Sequence, residues 1–209
     1  MFENYQHIAI EGNIGAGKTT AAGLLANHAN ARLLLESFEN NPFLPMFYAN
    51  RKRYAFQVEM FFLAERYHQL SVGASPDLFQ NTLICDYFFT KSAIFARANL
   101  QGAELELFMR LFQIMKKSIP GPDIIIYLHM PVENILERIS SRGRPYEKMI
   151  PHDYLKTIEE LYFEALKEIK DIPVVVIDQM KAKVTDRESI LNILLDVLSK
   201  PARPGLGYY

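Results

Sequence analysis

Residues 12–19 read Gly12-Asn13-Ile14-Gly15-Ala16-Gly17-Lys18-Thr19, which fits the phosphate-binding pattern G-x-x-x-x-G-K-[ST]. The apolar run at residues 7–10 is typical of a buried strand, and residues 20–29 are typical of a helix. Glycines let backbone N–H groups turn toward phosphate oxygens, because a side chain would obstruct that turn. Strand, loop and helix in this order predict a nucleoside triphosphate site.

The side chains at the end of this pattern suit a triphosphate bound together with Mg²⁺. We expect Lys18 to contact the β- and γ-phosphates and the Thr19 hydroxyl to bind the metal. The positive end of the following helix attracts the phosphates. The predicted ATP-binding residues are Gly12, Asn13, Ile14, Gly15, Ala16, Gly17, Lys18, Thr19 and Thr20. A glycine-rich turn that matches by chance is the alternative, and the flanking strand and helix disfavour it.

Length and composition suit one α/β domain. The chain has 209 residues, of which 49% are hydrophobic, and its net charge of −1 gives no general attraction to nucleic acid or membranes. No apolar run is long enough to span a membrane, and the single cysteine, Cys85, excludes an internal disulfide. We therefore expect a cytoplasmic protein with one domain over residues 1–200. Residues 201–209 contain two prolines and two glycines and predict an irregular tail.

Short apolar runs alternate with helical stretches along the chain. The runs predict strands buried on both faces, at residues 8–10, 31–35, 82–85, 124–128 and 174–177. Helices are clearest at residues 53–70, 102–117, 132–140, 152–170 and 186–198. This alternation predicts a P-loop kinase fold, with a five-stranded parallel sheet and helices on both faces. Because ligands of such sheets bind beyond the carboxyl ends of the strands, residues that follow each strand are candidates for function.

Two carboxylates follow predicted strands. Glu36 comes after the second strand and Asp86 directly after the third. Asp86 can hold Mg²⁺ beside Thr19, directly or through water. Phosphoryl transfer also needs a group that orients and deprotonates the accepting hydroxyl, and Glu36 is the candidate. Either carboxylate could instead cap the next helix, but both positions together, behind a phosphate-binding loop, favour catalysis.

An arginine-rich helix end has the form of a lid. Arg138 and Arg142 lie one helical turn apart, so they share a face, and Gly143 and Pro145 then break the helix before and after Arg144. Closure of such a lid brings guanidinium groups onto the transferring phosphoryl group and excludes water. A solvated basic turn is the alternative.

Residues 53–62 carry aromatic and apolar side chains at helical spacing, which is typical of a core helix. Gln57 stands out as an amide among apolar neighbours. Its donor–acceptor pair matches the edge of a nucleobase. From the pattern alone, an ordinary helix glutamine is the favoured interpretation.

Motifs spread over residues 5–180 form a more specific combination. They are residues 11–20, Glu36 with residues 41–44, Phe47-Tyr48, residues 54–57 with 60–63, Asp86-Tyr87 with residues 94–96, residues 142–148, and Tyr154-Leu155. Together these segments resemble the deoxynucleoside kinase family, and above all its bacterial branch of deoxyguanosine and deoxyadenosine kinases. The resemblance implies an ATP- and Mg²⁺-dependent 5′-kinase for deoxynucleosides, with purines favoured and deoxyguanosine first.

The resemblance also implies roles for individual residues. By this resemblance, Glu36 is the base that activates the 5′-hydroxyl, and Gln57 binds the edge of the nucleobase. Phe56 and Phe95 are expected to pack on the faces of the base. Tyr48 and Glu147 are expected to hold the 3′-hydroxyl, where their crowding disfavours the 2′-hydroxyl of ribose. The full set of expected substrate contacts is Glu36, Tyr48, Phe56, Gln57, Arg66, Asp86, Phe95 and Glu147. Arg138, Arg142 and Arg144 become the lid. Family members pair into homodimers through helices, and residues 105–114 are a candidate for that contact.

The chain departs from the family at one position. Much of the family has an arginine directly after the acid of the third strand, whereas this chain reads Asp86-Tyr87-Phe88. The bacterial branch also tends to have Asp-Tyr there. Lys91 and Arg66 are the basic residues that could instead steady Glu36, and Arg66 could alternatively contact a purine carbonyl or N7.

Two other functions stay open on the sequence. A thymidylate or other nucleoside monophosphate kinase needs basic residues for the acceptor's phosphate, and Arg51, Lys52 and Arg53 keep that possibility open. A non-catalytic kinase-fold subunit of an assembly is the second alternative. The intact set of Lys18, Thr19, Glu36 and Asp86 disfavours it.

Overall fold

A computed structural model of the chain describes residues 5–73, 80–144 and 147–209, apart from the side chain of Lys148. These residues form a six-stranded parallel sheet in the order β2-β3-β1-β4-β5-β6. The strands are β1 His7–Gly12, β2 Arg32–Leu34, β3 Leu83–Cys85, β4 Ile124–His129, β5 Pro173–Asp178 and β6 Gly205–Tyr208. The α/β prediction is therefore confirmed, with one more strand than expected.

Helices cover both faces of the sheet. They are α1 Lys18–Ala29, α2 Leu44–Ala49, α3 Arg51–Gly73, α4 Lys91–Asn99, α5 Gly102–Lys116, α6 Val132–Arg142, α7 His152–Glu168 and α8 Arg187–Ser199, with a 3₁₀ turn at Glu147–Met149. The sequence analysis did not identify α2 and α4, which have six and nine residues and so offer little periodicity. The start of α8 is fixed by a capping box, in which Asp186 accepts from the Ser189 N–H.

Alternate side chains of the central strands enter two different apolar layers. On β4, Ile124, Ile126 and Leu128 pack with residues of α1 and α8. The intervening Ile125 and Tyr127 pack with residues of α4 and α7 on the opposite face. Burial on both faces explains why these strands are apolar without alternation, as predicted for a parallel sheet.

The C-terminal tail corrects two predictions. Five strands and an irregular segment over residues 201–209 were expected, but Gly205–Tyr208 runs parallel to β5 as an edge strand. An edge strand needs only backbone groups on one side, so glycines and nearby prolines do not prevent it. Gly205 N–H donates to the Ile172 carbonyl and Tyr209 N–H to that of Val176. Among the described helices, none is long and apolar enough to cross a membrane.

The parallel sheet brings the predicted functional segments to one edge. The phosphate-binding loop follows β1, Glu36 follows β2 by two residues, and Asp86 follows β3 directly. The arginine-bearing helix α6 comes after β4. Because all strands run the same way, these segments meet beyond the carboxyl ends of neighbouring strands.

Candidate active site

The phosphate-binding loop is packed so closely that two of its glycines leave little or no space for a side chain. A Cβ on Gly12, where φ is +155°, would lie 2.7 Å from the Leu128 carbonyl oxygen. A Cβ on Gly15, where φ is +81°, would lie 3.0 Å from Cγ1 of Ile139 on α6. Gly12 therefore requires glycine, Gly15 is strained by any larger residue, and the loop lies directly against the helix that carries the predicted lid arginines.

Hydrogen bonds from distant elements hold the loop in shape. Asn13 is buried and donates from Nδ2 to the Leu155 carbonyl of α7 at 2.7 Å. Gln179, which follows β5, donates from Nε2 to the Ala16 carbonyl at 2.9 Å. The Lys18 ammonium donates to the Asn13 carbonyl at 2.9 Å. Gln179 was missed by the sequence analysis, and its only sequence signal is its position just beyond a strand.

A cavity of about 380 Å³ opens at this loop. Six of the predicted ATP-binding residues line it: Gly15, Ala16, Gly17, Lys18, Thr19 and Thr20. Gly12 and Asn13 do not line this cavity, and Ile14 lines a second cavity. The lining also includes Arg138, Arg142, Gln179 and the segment 184–187 at the start of α8. Burial, together with the nearby Lys91 ammonium, lowers the pKa of Lys18 to about 8, so an anionic phosphate here would favour its charged form.

Glu11, at the end of β1, lies beneath the loop and is fully buried. Its carboxylate accepts from the Phe88 N–H at 2.8 Å and from the Tyr162 hydroxyl at 2.9 Å. Burial raises the pKa of Glu11. Glu11 thus ties β1 to the segment after β3 and to α7, a structural role that the sequence analysis did not assign.

Thr19 and Asp86, the two residues predicted to bind Mg²⁺, are in direct contact. The Thr19 hydroxyl donates to Oδ2 of Asp86 at 2.6 Å, and the Glu36 N–H donates to Oδ1 at 2.8 Å. Oxygen atoms of this kind are the ligands Mg²⁺ prefers, and with nucleotides it takes one or two from protein and the others from phosphates and water. Among the described residues no cluster of three His, Cys, Asp or Glu side chains could hold a metal.

Glu36 is held by two cations. Its Oε1 accepts from Nε and Nη2 of Arg66 at 2.9 and 2.6 Å, and its Oε2 accepts from Nζ of Lys91 at 2.8 Å. Burial opposes ionisation, but Lys91 and Arg66 outweigh it and hold the pKa of Glu36 well below its usual range. Arg66 and Lys91, the two basic residues named from the sequence as candidates to steady Glu36, thus both contact it.

A second cavity, of about 120 Å³, lies on the other side of the loop. Its polar lining includes predicted residues, namely Glu36, Tyr48, Arg66, Asp86, Arg142, Arg144 and Glu147. Its apolar lining includes Leu44, Phe47, Val58, Phe62 and Phe95. Gly15, Lys18, Thr19 and Arg142 line both cavities. The two compartments therefore meet at the side chains suited to hold a transferring phosphoryl group.

Two predicted substrate contacts are not brought to this cavity. Gln57 is exposed on α3, and Phe56 is partly buried against an apolar cluster and does not line the cavity. The assignment of Gln57 to the base and of Phe56 to its face is therefore corrected. Successive helix residues are 100° apart, so Gln57 points about 200° away from Glu59.

Glu59 faces the cavity in place of Gln57. It is 2% exposed, and its Oε1 accepts from Nδ2 of Asn99 at 2.7 Å. Its Oε2 has no hydrogen-bond partner among the described residues. Burial raises the pKa of Glu59 to about 7, against the opposing effects of Arg66 and Asn99. The sequence signal was the spacing of Glu59, Phe62 and Arg66, which places all three on one helical face.

The three lid arginines divide between the cavities. Arg138 donates to Oε1 of Gln179 at 3.3 Å, while Arg142 and Arg144 donate to Oε1 of Glu147 at 3.1 and 3.0 Å. The Arg144 guanidinium also lies 4.0 Å from the centre of the Phe38 ring, a cation–π contact. Pro145 and Tyr146, part of the predicted hinge and motif, lie outside the described residues.

Comparisons with known proteins show what this chain is similar to. A family model described as "Deoxynucleoside kinase" matches residues 8–199. The deoxyguanosine kinase of Bacillus subtilis (strain 168) is 39% identical over 165 residues, which cover 78% of this chain and 80% of that protein. The deoxyadenosine kinase of Dictyostelium discoideum is 34% identical over 173 residues, which cover 81% of this chain and 70% of that protein. A solved structure of deoxyadenosine kinase from M. mycoides with bound dATP matches with a TM-score of 0.80 at 24% identity, over 93% of this chain and all of that chain.

Proposed function

This chain belongs to the deoxynucleoside kinase family, and on that premise we propose that it transfers the γ-phosphoryl group of ATP to the 5′-hydroxyl of a deoxynucleoside. The observation that carries the proposal is Glu36, which Arg66 and Lys91 fix in the smaller cavity beside the phosphate-binding loop. The relatives named as deoxyguanosine and deoxyadenosine kinases support a purine deoxynucleoside, with deoxyguanosine first.

Glu36 acts on the acceptor. Its carboxylate is ionised throughout the physiological range, so it accepts a hydrogen bond from the 5′-hydroxyl and points that oxygen at the γ-phosphorus. The transition state of phosphoryl transfer is loose, and positioning contributes more than early proton removal. A weakly basic carboxylate is adequate for this role, because the hydroxyl proton becomes acidic as the new bond forms.

Cationic groups act on the phosphates. Lys18 contacts the β- and γ-phosphates, and Arg142, which lines both cavities, stabilises charge on the group in transit. Thr19 and Asp86 are the residues that would hold Mg²⁺, which when bound neutralises charge between the β- and γ-phosphates. Arg138 and Arg144 stand on either side of Arg142 and close the site against water.

Tyr48 and Glu147 hold the sugar. Both line the smaller cavity, and Oε2 of the buried Glu147 has no hydrogen-bond partner among the described residues. A 3′-hydroxyl would donate to that oxygen. Crowding between the two side chains would then disfavour the additional 2′-hydroxyl of ribose.

We also propose a homodimer that pairs through α5. Leu107 and Ile114 on this helix are 47% and 62% exposed, while Phe108 and Phe112 face the core. Sedimentation at micromolar concentration would show one dimeric species, and Ile114→Glu should shift it to monomer; a wild-type protein that sediments as a monomer would refute the pairing. A cytoplasmic location stays a prediction of the sequence and the family.

The direct test is an ATP-coupled assay on the four deoxynucleosides, their ribose counterparts and their monophosphates. We expect turnover of deoxynucleosides, strongest with deoxyguanosine, and little with ribonucleosides. Product only from monophosphates, or only from ribonucleosides, would overturn the proposal. Absence of ATP consumption with every acceptor would instead revive a non-catalytic role.

A further inference from the structure

The second oxygen of Glu59 is a buried acceptor that the proposed chemistry leaves unused. Glu59 lines the smaller cavity together with Val58, Phe62 and Phe95, which offer apolar surfaces for a flat ring. Its Oε1 is fixed by Asn99, whose Nδ2 also lies 3.0 Å from the Tyr154 hydroxyl. A buried carboxylate oxygen without a partner is costly, so the cavity is suited to a ligand that donates hydrogen bonds to it.

The ring edges of the purines differ in what they offer such a group. Guanine presents two adjacent donors, the N1–H and the 2-amino group, beside the acceptor O6. A carboxylate has two acceptor oxygens and no donor, so it matches the two donors of guanine. Adenine presents an acceptor, N1, beside the donor 6-amino group. Only a protonated carboxyl, which offers one donor and one acceptor, matches that edge.

Charged neighbours on three elements act on Glu59. Arg66 on α3 and Lys91 on α4 favour its ionised form, whereas Glu36 after β2 disfavours it. Tyr154 on α7 and Asn99 on α4 are neutral and contact each other beside it. The guanidinium of Arg66 lies in the same cavity, and contacts to Glu36 and Ser92 occupy three of its N–H groups of the five available. The oxygen O6 of guanine is an acceptor suited to the others.

We propose that Glu59 selects the nucleobase: its carboxylate takes a 6-oxo-2-aminopurine, and its protonated form takes a 6-aminopurine. The inference rests on the deoxynucleoside kinase function proposed above and adds the group that chooses the acceptor. In the ionised form, Oε2 and Oε1 accept from N1–H and the 2-amino group. In the protonated form, the O–H donates to N1 of adenine and the other oxygen accepts from its 6-amino group.

The sign of the pH effect follows from these two forms. With the pKa of Glu59 raised to about 7, the carboxylate fraction grows about tenfold between pH 6 and pH 8. The kcat/KM for deoxyguanosine should therefore rise across this window relative to that for deoxyadenosine. A ratio of the two substrates removes effects they share, including those of Glu36, the lid and ATP.

The experiment compares wild type with Glu59→Gln on deoxyguanosine, deoxyinosine and deoxyadenosine. Glutamine offers one donor and only one acceptor, so it can accept from N1–H or from the 2-amino group of guanine but not from both through separate oxygens. The kcat/KM for deoxyguanosine should therefore fall about tenfold to a hundredfold, roughly the value of a good base contact, while deoxyadenosine gains relative to it. Deoxyinosine lacks the 2-amino group and should be a poorer substrate than deoxyguanosine for wild type, by roughly fivefold or more, with a smaller gap in the variant. The substrate ratio should lose its dependence on pH.

Glu65→Gln is the matched control, because it removes the same charge from α3 outside both cavities; it should leave the substrate ratio and its pH dependence unchanged. An unchanged ratio in Glu59→Gln, or a wild-type ratio that is flat from pH 6 to pH 8, would overturn the inference. The wild-type pH profile decides the matter even where Glu59→Gln fails to fold. If the kinase function itself were wrong, the wild type would phosphorylate no deoxynucleoside at all, which distinguishes that failure from failure of the base-selection role of Glu59.

Discussion

Replacing Glu36 with glutamine removes one charge from the centre of the site while keeping the side-chain volume. The glutamine oxygen can still accept from Arg66, but the amide nitrogen would then face the Lys91 ammonium, which lies 2.8 Å from the present carboxylate oxygen. Arg66 and Lys91 are 3% and 4% exposed, so neither cation can turn to water. The change therefore affects both catalysis and stability.

These contacts set the expected losses of kcat and of unfolding free energy. Loss of a positioned acid–base group lowers kcat by about 10²–10⁴-fold. Hydrogen bonds to charged groups contribute about 1.5–3 kcal/mol, and because the bond to Lys91 is lost while that to Arg66 is weakened, we expect unfolding free energy to fall by about 2–4 kcal/mol. Breaking a buried pair on one side can reach about 3–5 kcal/mol, but the 16% exposure of Glu36 lowers that figure.

The assay pairs steady-state ATP-coupled turnover with urea unfolding of the same protein samples. The KM for the deoxynucleoside should change much less than kcat, because the contacts proposed for the base and the 3′-hydroxyl do not involve Glu36. Glu160→Gln, an exposed position on α7, is the control for loss of one carboxylate. If folded Glu36→Gln kept kcat within tenfold of wild type on every deoxynucleoside, Glu36 would not be the group that activates the hydroxyl.

Three further substitutions test other parts of the site. Asp86→Asn should raise the Mg²⁺ concentration needed for half-maximal rate about tenfold or more, because a carboxylate ligand is lost; a magnesium titration that does not shift would contradict the metal assignment. Gly15→Ala should lower the unfolding free energy by about 1–2 kcal/mol, since alanine is strained at φ +81°, and it should raise the KM for ATP. Thermal unfolding and ATP titration measure the two effects, and if neither quantity changed, the packing argument would be refuted. Gln57→Ala should leave kcat/KM for deoxyguanosine within about twofold, because Gln57 is exposed; a tenfold loss would restore Gln57 to the base-binding site.

Much of the fold follows from local sequence. Parallel strands buried on both faces must be apolar throughout, so all five predicted runs lie at or within two residues of observed strands. The loop at residues 12–19 fixes where β1 ends and α1 begins. Gly205–Tyr208 escaped prediction because its pairing uses backbone atoms that every sequence has, and nothing in its side chains indicates a partner.

The site residues that directly follow strands could be located from the sequence, whereas those on a helix were harder to locate. Glu36 and Asp86 converge because neighbouring parallel strands end together. The rotation of α3 about its axis is set by its contacts with α2 and α4, which a sequence does not show. An error of two residues turns a side chain by about 200°, and that difference separates the exposed Gln57 from the buried Glu59.

The absence of a side chain at Gly15 has a consequence for how the two substrates affect each other. Without a Cβ there, the phosphate loop lies against Ile135 and Ile139 of α6, the helix that supplies Arg138 and Arg142. A triphosphate that fixes the loop would thereby also restrict α6 and with it Arg142, which lines both cavities. Thermodynamic linkage then requires reciprocity: whatever factor a bound ATP analogue adds to the affinity for the nucleoside, the nucleoside adds to the affinity for the analogue.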